Sequence, residues 1–141
     1  SATTWLVTGD VAFHYDSNAF LAEPSLQRQG LKVVVINNGG GAIFRWLPGT
    51  QHREVFHRHF ETPPARPVAS VAQGANAKYL LATSAAELAS ALEHARDEEG
   101  LVMVEVVTPN VDSADAVTIY LESCRTKNPF FTYFKASIFH P

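Results

Sequence analysis

Apolar residues in this chain gather into short runs, each ended by glycine, proline or a polar pair. Val33 to Ile36 is the strongest run: branched residues in succession with no alternation, the pattern of a strand buried on both faces. Thr4 to Val7, Lys78 to Ala82 and Leu101 to Val107 are further strand candidates, the first read as a core strand near the chain's start. Helical spacing fills the gaps. Phe13 to Ala22 predicts a short helix with Phe13, Ala19, Phe20 and Leu21 facing the sheet, broken by Glu23-Pro24 and followed by a turn over Gln27 to Gly30. Phe56 and Phe60, at i and i+4, predict a short amphipathic helix ahead of the Pro63-Pro64 break. Val68 to Ala75 predicts another. Ser84 to Glu87 reads as a capping box that opens a helix with Leu88, Ala91, Leu92 and Ala95 on one face, ending near Gly100. Strands alternating with helices predict an α/β fold with a mainly parallel sheet. From Val111 the pattern weakens, with a helix expected over Ser113 to Ser123 and an aromatic tail, Phe130 to Pro141, of no clear period. The expected division is a domain over 1–110 and an atypical tail over 111–141.

Two strand ends carry the candidate chemistry. After Val7 the chain reads Thr8-Gly9-Asp10, and after Ile36 it reads Asn37-Asn38-Gly39-Gly40-Gly41. Asp10 and Asn38 are 28 positions apart, about one strand–helix–strand unit. Parallel neighbours would carry both loops to the carboxyl edge of the sheet, where open α/β sheets bind ligands. There one carboxylate, one amide oxygen and a glycine-freed backbone carbonyl converge. All are hard oxygen donors, a set suited to Mg²⁺ that is also held by phosphate. Ala42 to Leu47 predicts a helical turn whose first N–H groups face the glycine-rich loop and favour an anion. Ile43, Phe44 and Leu47 form one apolar patch, read either as core packing or as the wall of a pocket.

Other polar residues admit plainer readings. Asp16 and Asn18 are read as ligand lining or as solvated helix positions. His52, His57 and His59 do not make a zinc site on this pattern, because His57 and His59 point apart on a helix and zinc needs three or four convergent ligands. Arg45, Arg53 and Arg58 are read as steering groups for carboxylate substrates or as a solvated face. Glu105, inside an apolar strand, is expected at an edge or in a paired carboxylate, with a buried functional charge as the alternative.

Composition narrows the class. The 141 residues suit one domain with a real core, with 46% hydrophobic and 18% charged positions. A net charge of −3 gives no electrostatic reason for nucleic acid as a partner. The single Cys124 excludes an intrachain disulfide and accords with a cytoplasmic protein. No run reaches membrane-spanning length, so no membrane partner is expected, and the start on a strand with no basic-then-apolar leader is what a fragment of a longer protein would show.

Gly9-Asp10 followed at this distance by Asn37-Asn38 resembles the cofactor- and metal-binding motif of the thiamine-diphosphate-dependent enzymes. The strings GDVAFHYDSNAF and INNGGGAIFRWLPG resemble one branch of that family, the 2-succinyl-5-enolpyruvyl-6-hydroxy-3-cyclohexene-1-carboxylate synthases of menaquinone synthesis. The likeness covers Trp5 to Pro109; Val11 departs from it, standing where most of the wider family has glycine. The resemblance implies a three-layer fold, helices on both faces of the sheet, present here in part. It implies thiamine diphosphate with Mg²⁺ or Mn²⁺ as cofactors, and Asp10, Asn38 and the Gly40 carbonyl as metal ligands. Gly9, Asp10, Val11, Ala12, Asn38, Gly40 and Ile43 would contact the cofactor, and Ile43, Phe44 and Leu47 would wall the substrate pocket. It further implies decarboxylation of 2-oxoglutarate and addition of the resulting carbanion to isochorismate, a homo-oligomeric full enzyme, and a catalytic glutamate on a separate pyrimidine-binding domain of a partner subunit. No catalytic residue is assigned within this chain, which on its own is expected to be inactive. Two other functions stay open: a different enzyme of the family, acetolactate-synthase-like, and a non-catalytic interaction fragment. A Rossmann nucleotide module would need G-x-G-x-x-G after the first strand, where this chain has T-G-D-V-A-F.

Overall fold

The computed structural model describes residues 3–22, 25, 30–46, 53–64 and 66–127. Leu47, His52, most of the expected turn before Gly30 and the aromatic tail Phe130 to Pro141 lie outside them. Strands β1 (Thr4–Gly9), β2 (Leu31–Asn37), β3 (Lys78–Ala82) and β4 (Val102–Val107) form one sheet in the order β1-β2-β4-β3. Every pairing is parallel, with Gly9 opposite Ile36 and Asn37 opposite Val107.

Helices lie on both faces, and the strand order explains which. From β1 to β2, and from β2 over to β3, the chain advances across the sheet. The intervening α1 (Asp10–Tyr15), α2 (Ser17–Ala22) and α4 (Val68–Gly74) therefore fall on one side if the crossovers share a hand. From β3 back to β4 it retreats, and α5 (Ala85–Asp97) falls on the other. Two apolar cores result. Phe13, Phe20, Val71 and Ala72 pack on Val33, Val35 and Met103 on the first face. Ala91 and Ala95 of α5 pack on Val34, Val102, Val104 and Val106 on the second. The Val33 to Ile36 run feeds both faces in alternation, so its lack of polar positions is what a doubly covered strand requires.

Several expectations need correction. Among the described residues β1 lies at the edge of the sheet, and its Trp5, Leu6 and Val7 are exposed, Val7 by 66%, outside both apolar cores. The helix expected over Phe13 to Ala22 is two helices, starting at Asp10 and broken at Asp16. The Ser17 hydroxyl donates to the His14 carbonyl at 2.9 Å and closes the first. Phe13 and Phe20 are buried and stacked at 5.4 Å, but Ala19 and Leu21 face outward. The helix carrying Phe56 is a single turn, α3 (Arg53–Phe56), continued by a π-helical turn, His57–Glu61, that ends at Thr62 with φ +40°. A long helix, α6 (Asn110–Lys127), leaves the end of β4 and packs against a 3-10 turn formed by Ala42–Trp46.

At the far end of the sheet, Lys32 is buried and its Nζ donates to the carbonyls of Glu98 at 2.6 Å and Gly100 at 3.0 Å. It ties the end of α5 to the start of β2. Ser84 caps α5 as expected, its hydroxyl accepting from the Glu87 N–H at 3.3 Å. The Glu87 carboxylate reaches back to the Thr83 N–H and hydroxyl, each at 2.7 Å.

Candidate functional site

The parallel pairing of β1 and β2 delivers both motif loops to one edge of the sheet. Asp10 is the first residue of α1, with Gly9 as its N-cap in an extended conformation. Its carboxylate is buried, with 3% exposure, yet both oxygens accept a backbone hydrogen bond. Oδ1 takes the Val11 N–H at 2.8 Å and Oδ2 takes the Gly40 N–H at 2.7 Å. The second bond spans the two loops and holds the glycine-rich segment against the start of α1.

Gly40 can make that approach only without a side chain. Its φ is +124°, and a Cβ there would stand 2.2 Å from the Glu61 carbonyl oxygen. That same oxygen accepts the Gly41 N–H at 2.6 Å, so the π-helical turn braces the loop from behind. The Gly40 carbonyl accepts the Ala42 N–H at 2.8 Å, and a carbonyl has a second lone pair to offer. The helical turn expected at Ala42 thus spends its first N–H on the loop itself, not on a ligand.

Asn37 and Asn38 divide two tasks. Asn37 Oδ1 accepts the Gly39 N–H at 3.0 Å, and its Nδ2 donates to Glu105 Oε1 at 2.5 Å. Asn38 Oδ1 is buried and has no hydrogen-bond partner among the described residues, as is Thr108 Oγ1 at the end of β4. A buried acceptor left unpaired costs about 1–3 kcal/mol, so an orphan beside a cavity marks a place for a missing partner.

That cavity encloses about 730 Å³. All seven residues expected to contact a cofactor, from Gly9 to Ile43, line it. Phe44 does not; it packs edge-on against Phe60 at 5.7 Å between ring centres. The lining also includes Ile36, Thr108 and Val117, which sequence reasoning missed. Thr108 had a signal, a hydroxyl directly after a strand that ends beside β2. Val117 had none, since nothing in the pattern aims α6 at this edge.

The donor set fits a divalent cation. Asp10 keeps lone pairs beyond its two N–H contacts, Asn38 Oδ1 is orphaned, and the Gly40 carbonyl lies on the same loop. These hard oxygens suit Mg²⁺ or Mn²⁺ better than a softer metal. No cluster of three His, Cys, Asp or Glu side chains suited to a metal occurs among the described residues.

The remaining candidates fall elsewhere. Asp16 and Asn18 are exposed and away from the cavity lining. Arg45 forms an ion pair with the buried Glu61 and lies 5.5 Å over the Phe56 ring, so it clamps the brace behind the loop. Arg58 and His59 are exposed. Glu105 is not at an edge: β4 lies between β2 and β3, and the carboxylate is buried with 6% exposure. Besides Asn37 it accepts the Tyr79 hydroxyl at 2.5 Å. Burial, reinforced by that hydrogen bond and by the carboxylate's charge, pushes the Tyr79 phenol well above its usual value of 10.0.

Comparison with known proteins gives the family. Residues 1–106 match the model of the family described as thiamine pyrophosphate enzyme, C-terminal TPP binding domain. The 2-succinyl-5-enolpyruvyl-6-hydroxy-3-cyclohexene-1-carboxylate synthase of Porphyromonas gingivalis is 39% identical over 121 residues, 85% of this chain and 21% of that protein. The proteins of the same name from Flavobacterium psychrophilum and Acaryochloris marina are 37% and 34% identical, over 75% and 84% of this chain and 19% and 20% of theirs. The chain therefore spans about a fifth of the length of the curated relatives it matches. A Mycobacterium smegmatis protein, assigned as a thiamin diphosphate-dependent enzyme, has a similar fold: TM-score 0.58 at 21% identity, over 77% of this chain and 18% of that one.

Proposed function

The chain belongs to the family of C-terminal thiamine-pyrophosphate-binding domains of thiamine pyrophosphate enzymes, and from that premise we propose that its cavity holds the diphosphate of thiamine diphosphate through Mg²⁺ or Mn²⁺. The observation that carries the reading is the joined pair of loops. The Asp10 carboxylate is pinned to the Gly40 N–H at 2.7 Å, beside an Asn38 Oδ1 that has no partner among the described residues. Asp10, Asn38 Oδ1 and the Gly40 carbonyl would hold the metal. Gly9, Val11 and Ala12 would line the diphosphate, and Ile36, Ile43 and Val117 would exclude water from its apolar side. The cofactor, when bound, supplies the electron sink for decarboxylating a 2-oxo acid; the protein binds and orients it.

The relatives' name carries the reading further. We assign the whole enzyme the decarboxylation of 2-oxoglutarate and transfer of the remaining four-carbon unit to isochorismate, in cytoplasmic menaquinone synthesis. The pyrimidine-binding half of the site would come from another domain of the same enzyme or its partner subunit. The exposed apolar edge at Trp5, Leu6 and Val7 is surface available for such an assembly. No helix among the described residues is long and apolar enough to cross a membrane. Supplied with 2-oxoglutarate, isochorismate and Mg²⁺, the full-length enzyme should release CO₂ and form the six-ring succinyl product. Formation of acetolactate from pyruvate instead would transfer the assignment to the acetolactate-synthase-like branch. Turnover by the highly purified 141-residue chain alone would contradict the need for a second domain.

A further inference from the structure

Resting on that functional reading, we infer that Glu105 is a positioning residue for the metal-binding loop, acting through Asn37. Tyr79 of β3, Glu105 of β4 and Asn37 of β2 form one hydrogen-bonded line that runs diagonally across the carboxyl end of the sheet. It ends on the Gly39 N–H, which Asn37 Oδ1 accepts at 3.0 Å. The next residue is Gly40, whose N–H is fixed by Asp10. The loop bearing Asn38 and the Gly40 carbonyl is thus tethered from two sides, once by a proposed ligand and once by this line.

A carboxylate is what makes the line directional. The two oxygens of Glu105 receive one donor each, Oε1 the Asn37 amide and Oε2 the Tyr79 hydroxyl. An ionised carboxylate only accepts, so the Asn37 amide must turn its NH₂ toward Glu105 and its oxygen toward the loop. Turned the other way, two donors would meet at Gly39 and two acceptors at Glu105. An apolar residue at position 105 would extend the core of Val35 and Met103 without the desolvation cost of a charge, and it would leave Asn37 free to flip. The buried charge thereby gains a role that packing of the central strand does not explain.

The test uses the full 141-residue chain, with Glu105→Gln, Asn37→Ala and the double variant. Glu105→Gln keeps the shape but offers an NH₂ as well as an oxygen, so the orientation of Asn37 is no longer forced. Amide hydrogen exchange at Gly39 and Gly40 should rise about tenfold in either single variant, as expected for losing one hydrogen bond of ordinary net strength, while Val34 and Val104 stay protected. In the Asn37→Ala background, Glu105→Gln should add nothing at the loop. Thiamine diphosphate binding in the presence of Mg²⁺ should weaken about tenfold in parallel. Asn37→Ala leaves the sheet's carboxylate in place, and unchanged loop exchange in that variant overturns the inference even if Glu105→Gln does not fold. Unchanged loop exchange, an equal rise throughout β2 and β4, or an undiminished Glu105→Gln effect without Asn37 would each overturn the inference. Failure of the unsubstituted chain to bind the cofactor would count against the functional reading alone, since the exchange measurement needs no ligand.

Discussion

Alanine at Gly40 should damage this protein far more than alanine at Gly9, although both glycines flank the same site. At Gly40 a Cβ would lie 2.2 Å from the Glu61 carbonyl oxygen, 3.0 Å from its carbon and 3.2 Å from Pro63 Cα, all backbone atoms that no rotamer change can remove. Reaching ordinary contact means a retreat of about 1 Å by one segment or the other. That retreat sacrifices the bond from the Gly41 N–H to Glu61, now 2.6 Å long. One lost hydrogen bond costs about 1 kcal/mol, and holding alanine at a φ of +124° adds about 1–3 kcal/mol. The sum, about 2–4 kcal/mol, is a large part of the roughly 5–15 kcal/mol that stabilises a typical domain. At Gly9 the backbone has φ −81° and ψ 160°, and a Cβ would meet nothing within 4 Å. Alanine there should be neutral or stabilise by up to about 1 kcal/mol through the unfolded chain. Urea unfolding followed by far-ultraviolet circular dichroism reads both, with equal m-values as the check that only stability has changed. Unfolding free energies for the two variants that agree within about 0.5 kcal/mol would refute the claim that the glycine-rich loop is sterically braced by Glu61.

Two further outcomes follow from buried polar groups. Lys32→Met should cost about 1–3 kcal/mol in the same urea assay, because it strips the Glu98 and Gly100 carbonyls of the buried ammonium; no loss would mean that water replaces it freely. Tyr79 has a phenol pKa raised above 10.0 in the fold, so its stabilising effect is fully present below that value. The effect declines as pH rises further, because the unfolded chain loses that proton first. The stability gap between the unsubstituted chain and Tyr79→Phe should therefore shrink by about 1 kcal/mol between pH 9 and 11, and a constant gap would contradict a phenol held protonated by burial and by the bond to Glu105.

Much of the fold was legible because it rests on patterns that act locally. The branched run Val33 to Ile36 had to be covered on both faces, and it is. The distance from Asp10 to Asn38 implied one crossover between parallel neighbours, and β1 pairs with β2 in that sense. Ser84 and Glu87 marked the start of α5 through cap chemistry that needs no tertiary context. What was not legible depends on neighbours distant in sequence. The apolar composition of β1 suggested a core strand, but burial depends on what lies beside it, and the described residues leave it at the edge. Arg45, read as a steering group or as part of a solvated face, is neither once folding brings Glu61 to it. The break at Asp16 involves no glycine or proline, only a serine hydroxyl that competes for a helix carbonyl. Of the readings open for Glu105, the edge position is the one that fails. A charge inside an apolar strand suggested an edge, yet two donors from flanking strands make a central position tenable. At the site, the motif named the loops, while the lining contributed by Thr108 and Val117 came from elements whose approach to that edge only the fold determines.

The central claim is that Asp10, Asn38 and Gly40 form a metal-dependent diphosphate site. Calorimetric titration of thiamine diphosphate into the purified chain, with and without Mg²⁺ and again with Asp10→Ala, tests it most directly. Binding that requires the metal and is abolished by the substitution is the predicted result. Binding that ignores both the metal and Asp10, or no binding to a chain shown by circular dichroism to be folded, would contradict a site preformed in these residues.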